Sequence, residues 1–221
     1  MRSAVVVFPG SNCDRDAATA LARVTGQQPH MVWHADTEMP NVDLIVLPGG
    51  FSYGDYLRTG AMAVHSPIMK EIKARAAKGV RVLGICNGFQ ILCESGLLPG
   101  AQLRNKKLKF IAKPVPLKVV NNNTDFTHLY EKDQLISMPI AHGDGNYFAE
   151  NDVIKQLEDQ GRVVFRYAEN PNGSLNDIAG IVNEQGNVLG LMPHPERAAE
   201  ALHGCRDGAT MFVSLFKRIK E

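Results

Sequence analysis

Four cysteines, one tryptophan and a net charge of only +1 mark this chain of 221 residues by what it is short of. Cys13, Cys86, Cys93 and Cys205 form no C-x-x-C pair, so neither zinc ligation nor a disulfide framework is expected and no metal is assigned. Basic and acidic residues number 24 and 23, with no basic block to hold nucleic acid and no acidic tail. Pro, Gly or a charge interrupts every apolar run before it is long enough to span a membrane. The chain opens on a strand-like run, Ala4-Val5-Val6-Val7-Phe8, with no signal-peptide core or cleavage site. A cytoplasmic protein that binds neither membrane nor nucleic acid is the expectation. Internal repeats and low-complexity segments are absent. So are a G-K-[ST] phosphate loop and a G-x-G-x-x-G dinucleotide fingerprint.

Short β-rich runs alternating with helix-like stretches fill the chain and point to α/β architecture in one domain over 1–221. Strands are expected at Ala4–Phe8, His30–His34, Leu44–Leu47 and Val80–Ile85. Helices are expected from Arg15 to about Thr25, capped by Asp14, from Pro67 to about Ala77, and from Gly88 to about Glu94. Further along, Leu108–Val120, Gln134–Ala141, Arg162–Tyr167, Ile178–Val182 and Val188–Met192 read as strands separated by turns such as Asn170-Pro171-Asn172-Gly173. A final amphipathic helix runs from Asp207 to the C-terminus. The pattern is that of an open, mostly parallel, flavodoxin-like sheet flanked by helices, with an antiparallel extension.

Gly84-Ile85-Cys86-Asn87-Gly88 joins the fourth strand to a helix, and this places a thiol on a sharp strand-to-helix elbow. A helix N-terminus favours the reactive thiolate. The backbone N–H of Asn87 then faces an oxyanion formed at Cys86. Taken alone, G-x-C-x-G reads equally well as a small buried residue. Cys93 falls inside a helix and Cys205 at the start of one. Cys13 follows a strand and is the one rival nucleophile, without glycines on both sides.

A nucleophilic cysteine needs a base, and the base needs an orienter. His194 follows the strand Val188–Met192 and is flanked by Pro193 and Pro195. Prolines enforce an extended backbone, in which residues two apart point the same way, so His194 and Glu196 project together. His142, at another strand end, is the second candidate base. The pair Gly49-Gly50 after Leu47-Pro48 lets backbone N–H groups approach a ligand, and it supplies a second oxyanion donor near Gly50.

Together, Pro48-Gly49-Gly50, then Gly84-x-Cys86-x-Gly88-x-Gln90, then His194-Pro195-Glu196 resemble the class I, triad glutamine amidotransferases. Three segments narrow the resemblance: Gly50-Phe51-Ser52-Tyr53-Gly54-Asp55-Tyr56-Leu57-Arg58-Thr59-Gly60-Ala61, Phe8 to Asp14, and Pro139 to Tyr147. They look like the glutaminase subunits of phosphoribosylformylglycinamidine synthases, in the short form without a synthetase portion. The resemblance spans essentially the whole chain. It implies that Cys86 attacks the side-chain amide of glutamine, that His194 relays the proton to ammonia, and that Glu196 orients His194. It also implies that Gln90 and the segment Ala141, His142, Gly143 and Asp144 grip the substrate, although family members often carry Glu at the place of Asp144. No cofactor is expected in this chain. ATP and magnesium are expected on a large synthetase subunit, with a small bridging subunit between the two. Other triad amidotransferases and a non-catalytic member of the Cys-elbow group are the competing readings. The Phe51–Ala61 segment argues against the first and the complete triad against the second.

Overall fold

A computed structural model describes residues 1–220. Its centre is a nine-stranded sheet in the order β2-β1-β3-β4-β11-β10-β9-β6-β7. Strands β1 (Ser3–Val7), β2 (His30–Trp33), β3 (Leu44–Leu47), β4 (Arg81–Ile85) and β11 (Val188–Leu191) are mutually parallel. Beyond β11, the strands β10 (Ile178–Val182), β9 (Val163–Tyr167), β6 (Ile111–Val119) and β7 (Leu135–His142) pair antiparallel in turn. Only β10 and β6 therefore run against the rest, and the sheet is mostly parallel with an antiparallel wing.

Burial explains the pattern. Every residue of β3 is inaccessible, as are Val82, Leu83 and Ile85 of β4. Helices cover both faces of a parallel sheet, so its inner strands read as unbroken apolar runs. Each large apolar side chain buried here contributes roughly 1.5–3 kcal/mol. The flanking helices are α1 (Asp14–Thr25), α2 (Ile68–Ala77), α3 (Asn87–Glu94), α4 (Asn151–Asp159) and α5 (Asp207–Lys220).

Three elements lie outside the sequence-based expectation. Helix α4 and the two-stranded ladder of β5 (Ala101–Leu103) with β8 (Asn146–Phe148) occupy stretches assigned no structure. Helix α1 begins at Asp14 itself, with Cys13 at the cap position, so Asp14 contributes its charge to the first turn and not a cap. Pro67 sits one position before α2, at its cap. The last residue of the expected C-terminal helix, Glu221, lies outside the described residues.

The chain leaves β1 for β2 on one side and returns to β3 on the other. This reversal opens a crevice at the carboxyl ends of the strands, where open α/β sheets bind ligands. The loops after β1, β3, β4 and β11 all end there, and they carry Cys13, Gly49-Gly50, Cys86 and His194.

Candidate active site

Cys86 has φ 51° and ψ −107°, an uncommon left-handed conformation for a residue with a side chain. The fold holds it there from both sides. Its N–H donates to the Leu191 carbonyl at 2.8 Å, and its carbonyl accepts the Gln90 N–H at 3.1 Å, closing the first turn of α3. The turn fits only because position 88 lacks a side chain: a Cβ there would stand 2.0 Å from the Leu47 carbonyl oxygen. Cys86 is 4% exposed, and its sulfur faces the Ala141 carbonyl at 3.7 Å.

His194 and Glu196 meet as the extended spacing requires, with Nδ1 to Oε1 at 2.6 Å and both side chains buried. The His194 backbone N–H donates to the Pro139 carbonyl of β7 at 2.8 Å, which fixes the residue as it leaves β11. Burial alone would push the imidazole down. The Glu196 carboxylate, then the sulfurs of Cys86 and Cys13 beside it, outweigh burial and hold His194 well above its ordinary value. Nε2 is buried, with no hydrogen-bond partner among the described residues, so the position opposite Glu196 stands open for a proton.

Cys13 is brought to the same place. Its sulfur, a ring nitrogen of His194 and a carboxylate oxygen of Glu196 lie within 4.8 Å of one another. The Cys13 thiol donates to Asn12 Oδ1 at 3.1 Å and accepts from Arg197 Nη2 at 3.1 Å, while Arg197 Nε is bound to Asp16. A guanidinium on that sulfur opposes a cation at the cluster. Cys13 thus borders the His–Glu pair, a placement the sequence left unassigned. Cys93 packs in α3, where burial raises its thiol strongly.

The remaining expected residues line one cavity of about 480 Å³ in front of Cys86, among them Gly50, Gln90, Ala141, His142, Gly143 and Asp144. Gly50 is at φ 149°, bridged to Ser11, where a Cβ would strike the Ser11 Cα at 2.7 Å. Asn87 opens α3, and its side chain joins a relay. It accepts from the Ser52 N–H at 3.1 Å and donates to Gln90 Oε1 at 2.8 Å, and Gln90 donates to the Asp144 carbonyl at 2.6 Å. Gln90 therefore ties the elbow helix to the loop after β7. His142 lacks the carboxylate partner that His194 has in Glu196. Burial and the nearby His194 charge lower it to about 4, and Nδ1 is engaged with Asn105 Oδ1 at 3.0 Å. Asn105, unremarked in the sequence, organises this wall: it also donates to the carbonyls of Lys109 and His142 and accepts from the Gly145 N–H. A single Asn in a polar loop carries no periodic signal, and only its burial gives it away.

A Cys-elbow α/β fold with a buried His–Glu pair beside the thiol defines a glutamine amidotransferase domain, and residues 1–206 match the family described as the CobB/CobQ-like glutamine amidotransferase domain. The chain is 59% identical to the phosphoribosylformylglycinamidine synthase subunit PurQ of Rhizobium etli, over 97% of both chains. It is 59% identical to that of Brucella suis, over 96% of this chain and 97% of the relative. Among solved structures, a chain of PurLQS from Thermotoga maritima superposes with a TM-score of 0.91 at 51% identity, over 99% of this chain and 98% of that one. Another glutamine amidotransferase of Thermotoga maritima, at 18% identity and a TM-score of 0.64 over 100% of this chain and 98% of that chain, shares the fold. The chain belongs to the glutamine amidotransferase family, in its PurQ branch of phosphoribosylformylglycinamidine synthase subunits.

Proposed function

We propose that this chain is the glutaminase subunit of a phosphoribosylformylglycinamidine synthase, with Cys86 as nucleophile, His194 as general base and acid, and Glu196 as its orienter. The observation that carries the assignment of roles is the 2.6 Å contact between His194 Nδ1 and Glu196 Oε1, buried beside the strained Cys86 elbow. Glu196 fixes the tautomer, which leaves Nε2 to take the Cys86 proton.

The sulfur attacks the carboxamide carbon of glutamine. The oxyanion that forms is held by backbone N–H groups of Asn87 and near Gly50. As the C–N bond breaks, His194 returns the proton to the leaving ammonia, and a γ-glutamyl thioester remains on Cys86. Water then gives a proton to His194 and attacks the thioester. Collapse releases glutamate and restores the thiol. The raised basicity of His194 suits a group that accepts a proton and gives it back in each half-reaction. The names of the relatives, and the PurLQS assembly that gives such a good superposition, support delivery of the ammonia to a large synthetase subunit alongside a small bridging one. That synthetase converts formylglycinamide ribonucleotide to formylglycinamidine ribonucleotide, using ATP and magnesium held on its own chain. No helix among the described residues is long and apolar enough to cross a membrane. We place the chain in the cytoplasm, a reducing compartment that suits its four free thiols.

The test is ammonia release from glutamine by the complex with its nucleotide substrates present. Cys86→Ala abolishes it and Cys13→Ala does not; the reverse pattern sinks the assignment. His194→Ala stops turnover, and a thioester trapped in that variant at the wild-type rate contradicts the role of His194.

A further inference from the structure

The chemistry at Cys86 leaves a second buried thiol unused. Cys13 is 2% exposed and stands at the cap position of α1, where Ser, Thr, Asp or Asn would turn a side-chain oxygen onto the helix N–H groups. Cys13 makes no such bond. Its side chain reaches instead to the His194–Glu196 pair. There its sulfur, a ring nitrogen of His194 and a carboxylate oxygen of Glu196 gather within 4.8 Å.

Two neighbours set the polarity of that sulfur. Its S–H is directed to Asn12 Oδ1 at 3.1 Å, and Arg197 Nη2 donates to it at 3.1 Å. Arg197 is itself held by Asp16, through Nε at 3.1 Å. The sulfur thus stands as an acceptor between two cationic groups, the guanidinium and the imidazole once protonated. A soft, polarisable acceptor in that place separates like charges that would otherwise repel. Against burial, which lowers it, Glu196, Cys86 and Cys13 together raise the basicity of His194.

The backbone locks this arrangement. The Cys13 and Asn12 N–H groups both donate to the Gly49 carbonyl, at 3.2 and 3.4 Å, so the turn that carries the sulfur is tied to the loop after β3. Gly49 also clears the space: a Cβ there would stand 2.7 Å from His194 Cε1 and 3.1 Å from the Cys13 sulfur. Imidazole and thiol share one place over bare backbone.

We infer that Cys13 is a positioning residue for His194: its sulfur, backed by Arg197, holds the imidazole in register with Cys86. The inference rests on the proposed role of His194 as proton carrier. Cys13 is not on the wall of the cavity in front of Cys86, so its loss reads in kcat and in the pH profile and not in KM. Protonated His194 is the form that delivers a proton to the leaving ammonia. Removing the acceptor makes that form less stable, so the alkaline limb of kcat moves to lower pH.

The experiment uses two variants that separate size from polarity. Cys13→Val keeps the volume and loses the acceptor, while Cys13→Ser keeps an acceptor and loses volume. In the complete complex, Cys13→Val moves the alkaline limb of kcat down by about one pH unit, lowers kcat there roughly tenfold and leaves KM within about twofold. Cys13→Ser returns the limb to within about 0.3 pH unit of wild type. A second readout needs no turnover. Ring-nitrogen NMR of the full chain carrying Cys86→Ala follows the titration of His194, and adding Cys13→Val moves its midpoint down by about one pH unit. The other charged or titratable groups facing His194 are Glu196 and Arg197 on its own loop, Asp16 through Arg197, Cys86 at the elbow and His142 on β7. None of them differs between the two chains compared. If Cys13→Val fails to fold, Cys13→Ala takes its place with the same expected shift. A limb and a midpoint within about 0.3 pH unit of the reference in the variant without an acceptor overturn the inference. So does a Cys13→Ser shift as large as that of Cys13→Val. With Cys86→Ala dead in ammonia release, either result removes the Cys13 assignment alone. Ammonia release surviving in Cys86→Ala removes the catalytic reading and this inference with it.

Discussion

Glu196→Gln tests the heart of the site, because it removes one charge and almost no volume. Glu196 and His194 are 2% and 1% exposed, so water does little to screen the pair. For charge centres ~4 Å apart at an effective dielectric of ~20, the attraction is about 4 kcal/mol. A tenfold change in rate corresponds to about 1.4 kcal/mol, so kcat is expected to fall by about 10³. The amide adds a second difficulty. If its nitrogen faces Nδ1, the imidazole proton moves to Nε2, the atom that has to receive the Cys86 proton. KM changes little, since Glu196 is not on the cavity wall. Stability falls too, because His194 loses the charge partner of a buried pair, and thermal unfolding shows whether the variant is still folded at the assay temperature. The assay is steady-state glutamate formation by the complex, with thermal unfolding of the variant measured alongside. A kcat within tenfold of wild type at an unchanged melting temperature would refute the argument that Glu196 sets the tautomer and charge of His194.

Gly88→Ala should cost several kcal/mol or prevent folding, because its Cβ would lie 2.0 Å from the Leu47 carbonyl; urea denaturation of the purified chain measures it. Arg58→Glu replaces an exposed partner of Glu94 with a like charge and should move stability by no more than about 1 kcal/mol. If the loop from Tyr53 to Arg58 docks on the synthetase, the same change weakens the complex in a binding titration; unchanged affinity refutes that docking. Asp55→Asn should stabilise the folded chain at pH 7. The folded carboxyl titrates near 6 against 3.8 for the free group, so the native state binds the extra proton between those values. Stability present below 3.8 is thus lost as pH rises through 6, and the Asn variant escapes the loss. Discounted for the half-exposed position, the gain is about 1–2 kcal/mol at pH 7 and vanishes near pH 4 in urea titrations.

The Cys86 elbow was legible because its determinants are local: two glycines, an apolar strand before and an apolar helix after. The His194–Glu196 pair was legible because flanking prolines leave an extended segment one geometry. Helix α4 was not, since Leu157 alone is fully buried in it and only Val153 and Ile154 join it on the apolar side, too short a pattern to register. Strands β5 and β8 span three residues each, too few for an alternating pattern to register. Asp55 and Asn105 escaped for a different reason. Their significance lies in the company they keep, across tens of residues of sequence, and no spacing rule encodes it. The expectation that His142 competes as a base failed on its partners: it is buried against Asn105 and the His194 charge with no carboxylate to offset them, which a sequence does not display.

The bond from the His194 N–H to the Pro139 carbonyl has a mechanical consequence. Pro139 belongs to β7, and three residues further along the same strand come His142 and the loop that walls the cavity in front of Cys86. Strand β7 is the last of the sheet, hydrogen-bonded on one side by β6. His194, the proposed proton carrier, is thus tied to the same edge strand that leads into the proposed substrate wall. Cys86, for its part, is bonded through its N–H to Leu191 of β11, three residues before His194, so the central strands and the edge strand meet at the imidazole.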